Sequence, residues 1–233
     1  MNNRGNYLGY YAALLAGALA LNAFPSGAGP ALTNCCQHAC CARNEPLAAY
    51  TERSLYQLES QWTNDAGKFV RLSELGDRPQ VVAMFFANCE YACPLIVNDM
   101  RRIEAALTPE QRSHVGFALI SFDSKRDTAA ALAEYRRVRG LPEKTWTLLH
   151  GEPDEVMELA ALLGDRYKQD ARGQFSHSNV ITVLNSAGEI VHQQIGLNGD
   201  VRETVSILGK LVAEGNERET SAKPIAYGTS FTR

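Results

Sequence analysis

Two apolar runs, Val81 to Phe86 and Val115 to Phe122, have the length of buried strands, and a segment of helical period lies between them. In that segment Pro94 stands at an opening turn, and Ile96, Met100, Ile103 and Leu107 recur every three or four residues along one stripe. Near-continuous apolar strands need cover on both faces, and a strand–helix–strand order joins them in parallel. The chain is thereby constrained to a central sheet packed between helices.

The alternation continues along the chain. Asp127-Thr128 opens a helix that carries Leu132, Tyr135 and Val138 on one side and stops at Gly140 and Pro142. Trp146 to Leu149 reads as a short strand, and Pro153 to Leu163 as an amphipathic helix ending at Gly164. Asn179 to Leu184 and Glu189 to Ile195 flank Asn185-Ser-Ala-Gly188 as a β-hairpin, and Val201, Val205, Leu208 and Val212 mark a closing helix. Upstream, Tyr56, Leu58 and Trp62 alternate with polar residues, Asn64-Asp-Ala-Gly67 supplies a turn, and Phe69-Val70 resumes. This order predicts an α/β fold: a thioredoxin-like mixed sheet flanked by helices, with an N-terminal β-hairpin.

With 233 residues the chain suits one such domain with extensions, placed here at 54–214. Leu8 to Phe24 is an uncharged stretch preceded by Arg4 and followed by the small residues of Pro25 to Pro30, so 1–29 reads as an export signal, with a single membrane anchor as the rival reading. Leu32-Thr-Asn-Cys35 is a poor lipidation box. Residues 30–53 lack a sustained apolar period and form a Cys-rich tether, and 215–233 a flexible polar tail. The body of the protein is thus expected outside the cytoplasm, periplasmic or on the extracytoplasmic face of the membrane. A net charge of −3 offers no electrostatic reason to bind nucleic acid.

Of the six cysteines, Cys89 and Cys93, in Cys89-Glu-Tyr-Ala-Cys93-Pro94, fall where the first central strand hands over to the first helix. There the helix N-terminus stabilises a thiolate. Thioredoxin-type redox pairs have two residues between the cysteines; three residues put the sulfurs about one helical turn apart if the helix extends back. Two such thiolates can converge on one metal ion. His177, in the loop just before the strand Asn179 to Leu184, is expected to approach them. No proline occurs between Pro153 and Pro224, so the proline that ordinary thioredoxins place beside their cysteines has no candidate. Two thiolates and an imidazole suit Cu(I), tolerate Cu(II), and hold Zn(II) given a fourth ligand, so the donor set alone leaves the metal open.

Over about Leu55 to Leu211 the chain resembles the Sco/SenC family. The likeness is carried by Phe85-Phe-Ala-Asn-Cys89-x-x-x-Cys93-Pro94, by Asp123-Ser-Lys-Arg-Asp127-Thr128, and by His177-Ser178 ahead of a strand, in the family's order. The resemblance implies copper, Cu(I) or Cu(II), as the metal and Cys89, Cys93 and His177 as its ligands. It also implies a metallochaperone role: supplying copper to, or preparing the thiols of, the CuA site of cytochrome c oxidase. The implied partners are the oxidase subunit carrying CuA or another copper acceptor, and a copper donor. Ser176 stands where the family commonly has an aspartate, and Asn88 and Glu90 vary the cysteine loop.

The alternative class is an enzyme, a thiol-disulfide oxidoreductase or peroxiredoxin-like protein with Cys89 as attacking thiolate and Cys93 as resolving thiol. A structural disulfide between the two is the plainer reading in an oxidising compartment. Asp127 is expected to cap the following helix and Asp123 to end a strand, with support of the metal loop from behind its ligands as the alternative reading for both. His114, His150 and His192 read as surface or satisfied residues. The cluster Cys35, Cys36, His38, Cys40 and Cys41 is a second candidate metal site, with local disulfides as its rival.

Overall fold

The computed structural model describes residues 50–222, except 172 and 174. Residues 1–29, read above as an export signal or anchor, and the cysteine cluster at 35–41 lie outside the described residues.

A seven-stranded mixed sheet forms the core. In chain order its strands are β1 (Trp62–Asn64), β2 (Phe69–Val70), β3 (Gln80–Phe85), β4 (Gly116–Ser121) and β5 (Trp146–His150), and β8 (Val180–Leu184) with β9 (Ile190–Ile195) complete it. Between β5 and β8 a separate two-stranded sheet consists of β6 (Tyr167–Gln169) and β7 (Phe175–His177). The spatial order in the large sheet is β2-β1-β5-β4-β3-β8-β9. β3, β4 and β5 run parallel, while β1 joins β5, and β8 joins β3, antiparallel. All residues of β3, β4 and β8 are buried, as expected for strands covered on both faces.

The helices are α1 (Ala92–Ala106), α2 (Pro109–Ser113), α3 (Ala129–Arg139), α4 (Pro153–Leu163) and α5 (Arg202–Ala222). α1 lies against β3 and β8 and beside α5, and α3 lies against β5 and β1. The predicted stripe Ile96, Met100, Ile103 and Leu107 is buried throughout. α3 ends where Gly140 adopts φ 59°, a left-handed conformation that any L side chain enters at a cost of roughly 1–2 kcal/mol.

Several boundaries differ from the sequence reading. Tyr56 lies in the 3-10 turn Leu55–Gln57, not in a strand, so the N-terminal hairpin is the short β1–β2 pair. Val138 is 65% exposed instead of sharing the inner face with Leu132 and Tyr135. Six residues rotate a helix about 120° off Leu132, whereas Arg136, four residues on, falls back within about 40° of it. Arg136 occupies the inner face because its guanidinium is fully engaged. It forms a bidentate ion pair with Asp65 in the β1–β2 turn and donates to the carbonyls of Leu141 (3.2 Å) and Trp146 (3.0 Å). Helix α5 continues past Gly215 to Ala222, where the sequence reading placed loose chain.

The Arg136–Asp65 pair is nearly dry, its side chains 11% and 13% exposed. Removing one partner strands the other's charge. Asp65→Ala is therefore expected to lower unfolding free energy by about 3–5 kcal/mol, read as a fall in the urea midpoint at unchanged slope. An unchanged midpoint would refute this account of how the hairpin is anchored.

Candidate metal centre

The parallel strands deliver their C-terminal ends to one edge of the sheet, and the reactive side chains gather there. After β3 the chain continues through buried Phe86 to Ala87, then turns so that the Cys89 N–H donates to the Phe86 carbonyl at 3.2 Å. α1 begins only at Ala92, so Cys89 precedes the helix instead of sitting on its first turn. The Cys93 N–H donates to Cys89 Sγ at 3.3 Å, and the Phe86 N–H to Cys93 Sγ at 3.5 Å. Backbone donors thus hold both sulfurs, and a helix N-terminus faces Cys89.

The third group arrives from elsewhere. His177 is not in a loop, as the sequence suggested, but at the end of β7, in register with Tyr167 of β6. Its Nε2 lies 3.6 Å from Cys93 Sγ, and the ligand atoms of Cys89, Cys93 and His177 all lie within 4.8 Å of one another. Among the described residues this is the one His/Cys/Asp/Glu group able to hold a metal ion in this way. His177 Nδ1 lies 2.7 Å from the Ser178 carbonyl oxygen, which can only accept. Nδ1 therefore carries the proton, and in the neutral ring Nε2 presents its lone pair to the sulfurs.

Both cysteines are free thiols. The hydrogen bond from Cys93 lowers the Cys89 pKa to about 3, aided by His177 and by backbone donors against the opposing effect of burial. The same hydrogen bond, and then burial, push the Cys93 thiol up, so of the two sulfurs Cys89 favours the thiolate and Cys93 favours the thiol. Burial disfavours the His177 cation, yet hydrogen bonds to Cys89 and Ser178 outweigh it and raise its pKa. Cys93 is fully buried, while Cys89 is half-buried and opens on a cleft of ≈ 660 Å³ lined also by Phe86, Tyr91, Phe175 and His177. A soft ion can enter from the Cys89 side and be seated against Cys93.

Two supports surround the site, one set second to a capping role in the sequence reading and one not read there. Asp127 does not cap α3; that is done by Thr128, whose hydroxyl accepts from the Ala131 N–H. The buried Asp127 carboxylate accepts instead from the Ala87 N–H at 2.8 Å and from the Ser121 hydroxyl at 2.5 Å, fixing the chain as it enters the cysteine loop. Two adjacent capping candidates were the available signal, since a helix uses only one. The second support is an aromatic cluster. Phe122 stacks on Tyr167 (5.1 Å between centroids), meets Phe175 edge-on (5.0 Å) and lies 5.1 Å from the His177 ring. Asp123 ends no strand; it follows β4 and pairs with Arg126. Away from the site, His114 is exposed and His192 Nε2 lies 3.1 Å from the Thr204 hydroxyl, whereas His150 Nε2 is buried with no hydrogen-bond partner among the described residues.

Solved structures with the same architecture include the SCO1/SenC family lipoprotein of Bacillus anthracis, which is 21% identical, with 66% of this chain and 94% of that chain covered and a TM-score of 0.60. Arabidopsis thaliana ScoI, solved with copper bound, is 20% identical over 66% and 96% of the two chains, with a TM-score of 0.57. Yeast Sco1, also solved with copper bound, is 21% identical over 74% and 97%, with a TM-score of 0.56. At these identities the likeness is one of fold, and it is the thioredoxin-like fold expected from the sequence. No relative is matched among curated protein sequences. The family profile described as SCO1/SenC matches residues 48–213, which include the cysteine loop, the Asp123–Thr128 segment and His177. The chain belongs to the SCO1/SenC family.

Proposed function

We propose that this protein is a copper metallochaperone whose cargo is held by Cys89, Cys93 and His177. The carrying observation is the convergence of two sulfurs and an imidazole nitrogen, drawn from two separate segments, on one point. A thiolate, a displaceable thiol and a tautomer-fixed imidazole suit Cu(I) and accept Cu(II). The relatives solved with copper support that choice of metal. Ligand exchange with an acceptor proceeds through Cys89, which faces the cleft, so the ion passes outward without opening the core. The acceptor class is a copper site such as the CuA centre of cytochrome c oxidase, reached from the periplasmic or extracytoplasmic side, with a separate protein as copper donor. No helix among the described residues is long and apolar enough to cross a membrane. Preparation of an acceptor's thiols by the same cysteines is compatible with this site. Copper holding is preferred to a purely thiol-exchange enzyme because dithiol exchange has no use for a third, orientation-locked donor.

Cys89→Ser and Cys93→Ser are each expected to abolish tight copper binding. His177→Ala should keep weak Cu(I) binding through the two sulfurs but lose the thiolate-to-Cu(II) absorption. A His177→Ala protein with unchanged spectrum and affinity would rule out the assignment.

Proton linkage gives a second test. Because the Cys93 pKa is raised, its proton is still present at neutral pH and the metal must displace it; raising the pH removes that competitor. Apparent Cu(I) affinity should climb about tenfold per pH unit between about pH 7 and 9, and more steeply at the acidic end, where the raised His177 pKa adds a second proton. Competition with a Cu(I) chelator measures this, and a flat profile contradicts the proton assignment.

The cluster Cys35, Cys36, His38, Cys40 and Cys41 is proposed as an independent soft-metal site, since five donors within seven residues can surround one ion without a folded core. Replacing Cys35, Cys36, Cys40 and Cys41 by serine in the reduced full chain should lower copper stoichiometry while sparing the domain site. Equal stoichiometry at matched free copper would make the segment a tether only.

A further inference from the structure

The two halves of the metal centre reach it in different ways. The cysteines follow directly from β3 and α1, whereas His177 rides on the β6–β7 hairpin, a sheet of its own with no strand pairing to the seven-stranded sheet among the described residues. A two-stranded hairpin is marginal by itself in water, so beyond the direct run of its second strand through Ser178 and Asn179 into β8, its side-chain contacts decide how its far end sits. Most of those contacts are aromatic. Phe175 packs on Phe86 and Phe122, and Tyr167 on Phe122. Such contacts favour association but are tolerant of sliding.

One contact set is directional. Arg126, in the loop between β4 and α3, pairs through Nε with the buried Asp123 carboxylate. Its Nη2 donates to the Gly173 carbonyl at 2.6 Å, and its guanidinium lies 5.8 Å from the centre of the Phe175 ring. Gly173 and Phe175 both belong to the turn and arm that lead into His177. Asp123 is itself tied inward, because its N–H donates to Ser121 Oγ at 3.0 Å. The Ser121 hydroxyl in turn donates to Asp127, which also holds the Ala87 N–H at the mouth of the cysteine loop. A continuous run of hydrogen bonds therefore joins the cysteine loop to the histidine hairpin through one loop of the fold.

We propose that Arg126 is a positioning residue for His177, latching the β6–β7 hairpin to the β4–α3 loop so that Nε2 is held within 4.8 Å of the two sulfurs. The inference rests on the copper-holding reading for its consequence, but the latch itself is a property of the metal-free chain. A planar guanidinium can serve Asp123, Gly173 and the Phe175 face together; a lysine ammonium at the same position can keep the Asp123 charge pair but not the fork.

The test compares the reduced full chain with its Arg126→Met and Arg126→Lys variants. In metal-free protein, amide hydrogen exchange across residues 167–177 should quicken by about tenfold in both variants, while β3 and β4 stay protected. In copper-loaded protein the thiolate-to-Cu(II) absorption should shift or weaken, and Cu(I) affinity should fall by about tenfold. Introduced into His177→Ala, the Arg126 substitutions should cost no further Cu(I) affinity, because the group they position is gone. Unchanged exchange in the hairpin overturns the proposal, as does an equal affinity loss with and without His177, which would place the action of Arg126 on the cysteine loop. Should Arg126→Met not fold, Arg126→Lys carries the same comparisons. If the parent chain takes up no copper, the functional reading fails, and hydrogen exchange in the metal-free protein still decides the latch.

Discussion

Because every side chain of β3, β4 and β8 is out of solvent, both faces at the centre of the sheet must be covered, and the remaining elements are arranged to do so. Parallel pairing of β3, β4 and β5 requires crossover connections, which α1 and α3 supply. It also requires that the chain leave each of these strands at the same edge. The cysteine loop follows β3 and the Asp123–Thr128 segment follows β4, so they become neighbours however far apart they stand in sequence. The site is a consequence of burying the middle of the sheet.

Within the site the decisive quantity is where one proton resides. Cys93 lies on the core side and pays the desolvation cost of a charge, whereas Cys89 faces the cleft and receives backbone and side-chain donors. The outer sulfur therefore favours the charge and the inner one the proton. On the copper-holding reading proposed above, an arriving cation meets the outer sulfur first and displaces the buried proton last, which couples seating of the ion to proton release. In the neutral ring of His177 the Nε2 lone pair faces the sulfurs, because Ser178 holds the proton on the other nitrogen.

The histidine hairpin contrasts with the cysteine loop in how it is secured. Cys89 and Cys93 are bound by main-chain donors and by a helix that packs on the sheet. His177 sits on a small hairpin that runs through Ser178 into β8 and packs against the large sheet's loops through rings and Arg126. A centre built from a firm half and a half held by side chains suits an ion that must be both kept and given up, since the weaker half can yield first.

Much of this was legible in the residues themselves. The uninterrupted apolar runs of β3 and β4, the stripe Ile96, Met100, Ile103 and Leu107, and the stops at Gly140 and Gly164 specify strands and helices through local period and backbone preference, which need no knowledge of distant contacts. The spacing of Cys89 and Cys93 marked a metal-capable pair for the same reason, and the likeness in three blocks brought in His177. What the sequence could not decide were features that depend on who lies opposite. Helical phase alone turns Val138 outward, but that an arginine, Arg136, is tolerated on the inner face depends on Asp65, 71 residues away. Asp127 leaves the cap position to Thr128 because Ala87 and Ser121 offer donors that exist only once β3 and β4 are paired. The β6–β7 hairpin escaped notice because its strands are short and without apolar alternation, and only packing against Phe86, Phe122 and Arg126 gives it a place. Local order is written in nearest-neighbour chemistry; the placement of His177 against two sulfurs, and the proton each group holds there, follow from burial and partners that only the folded chain supplies.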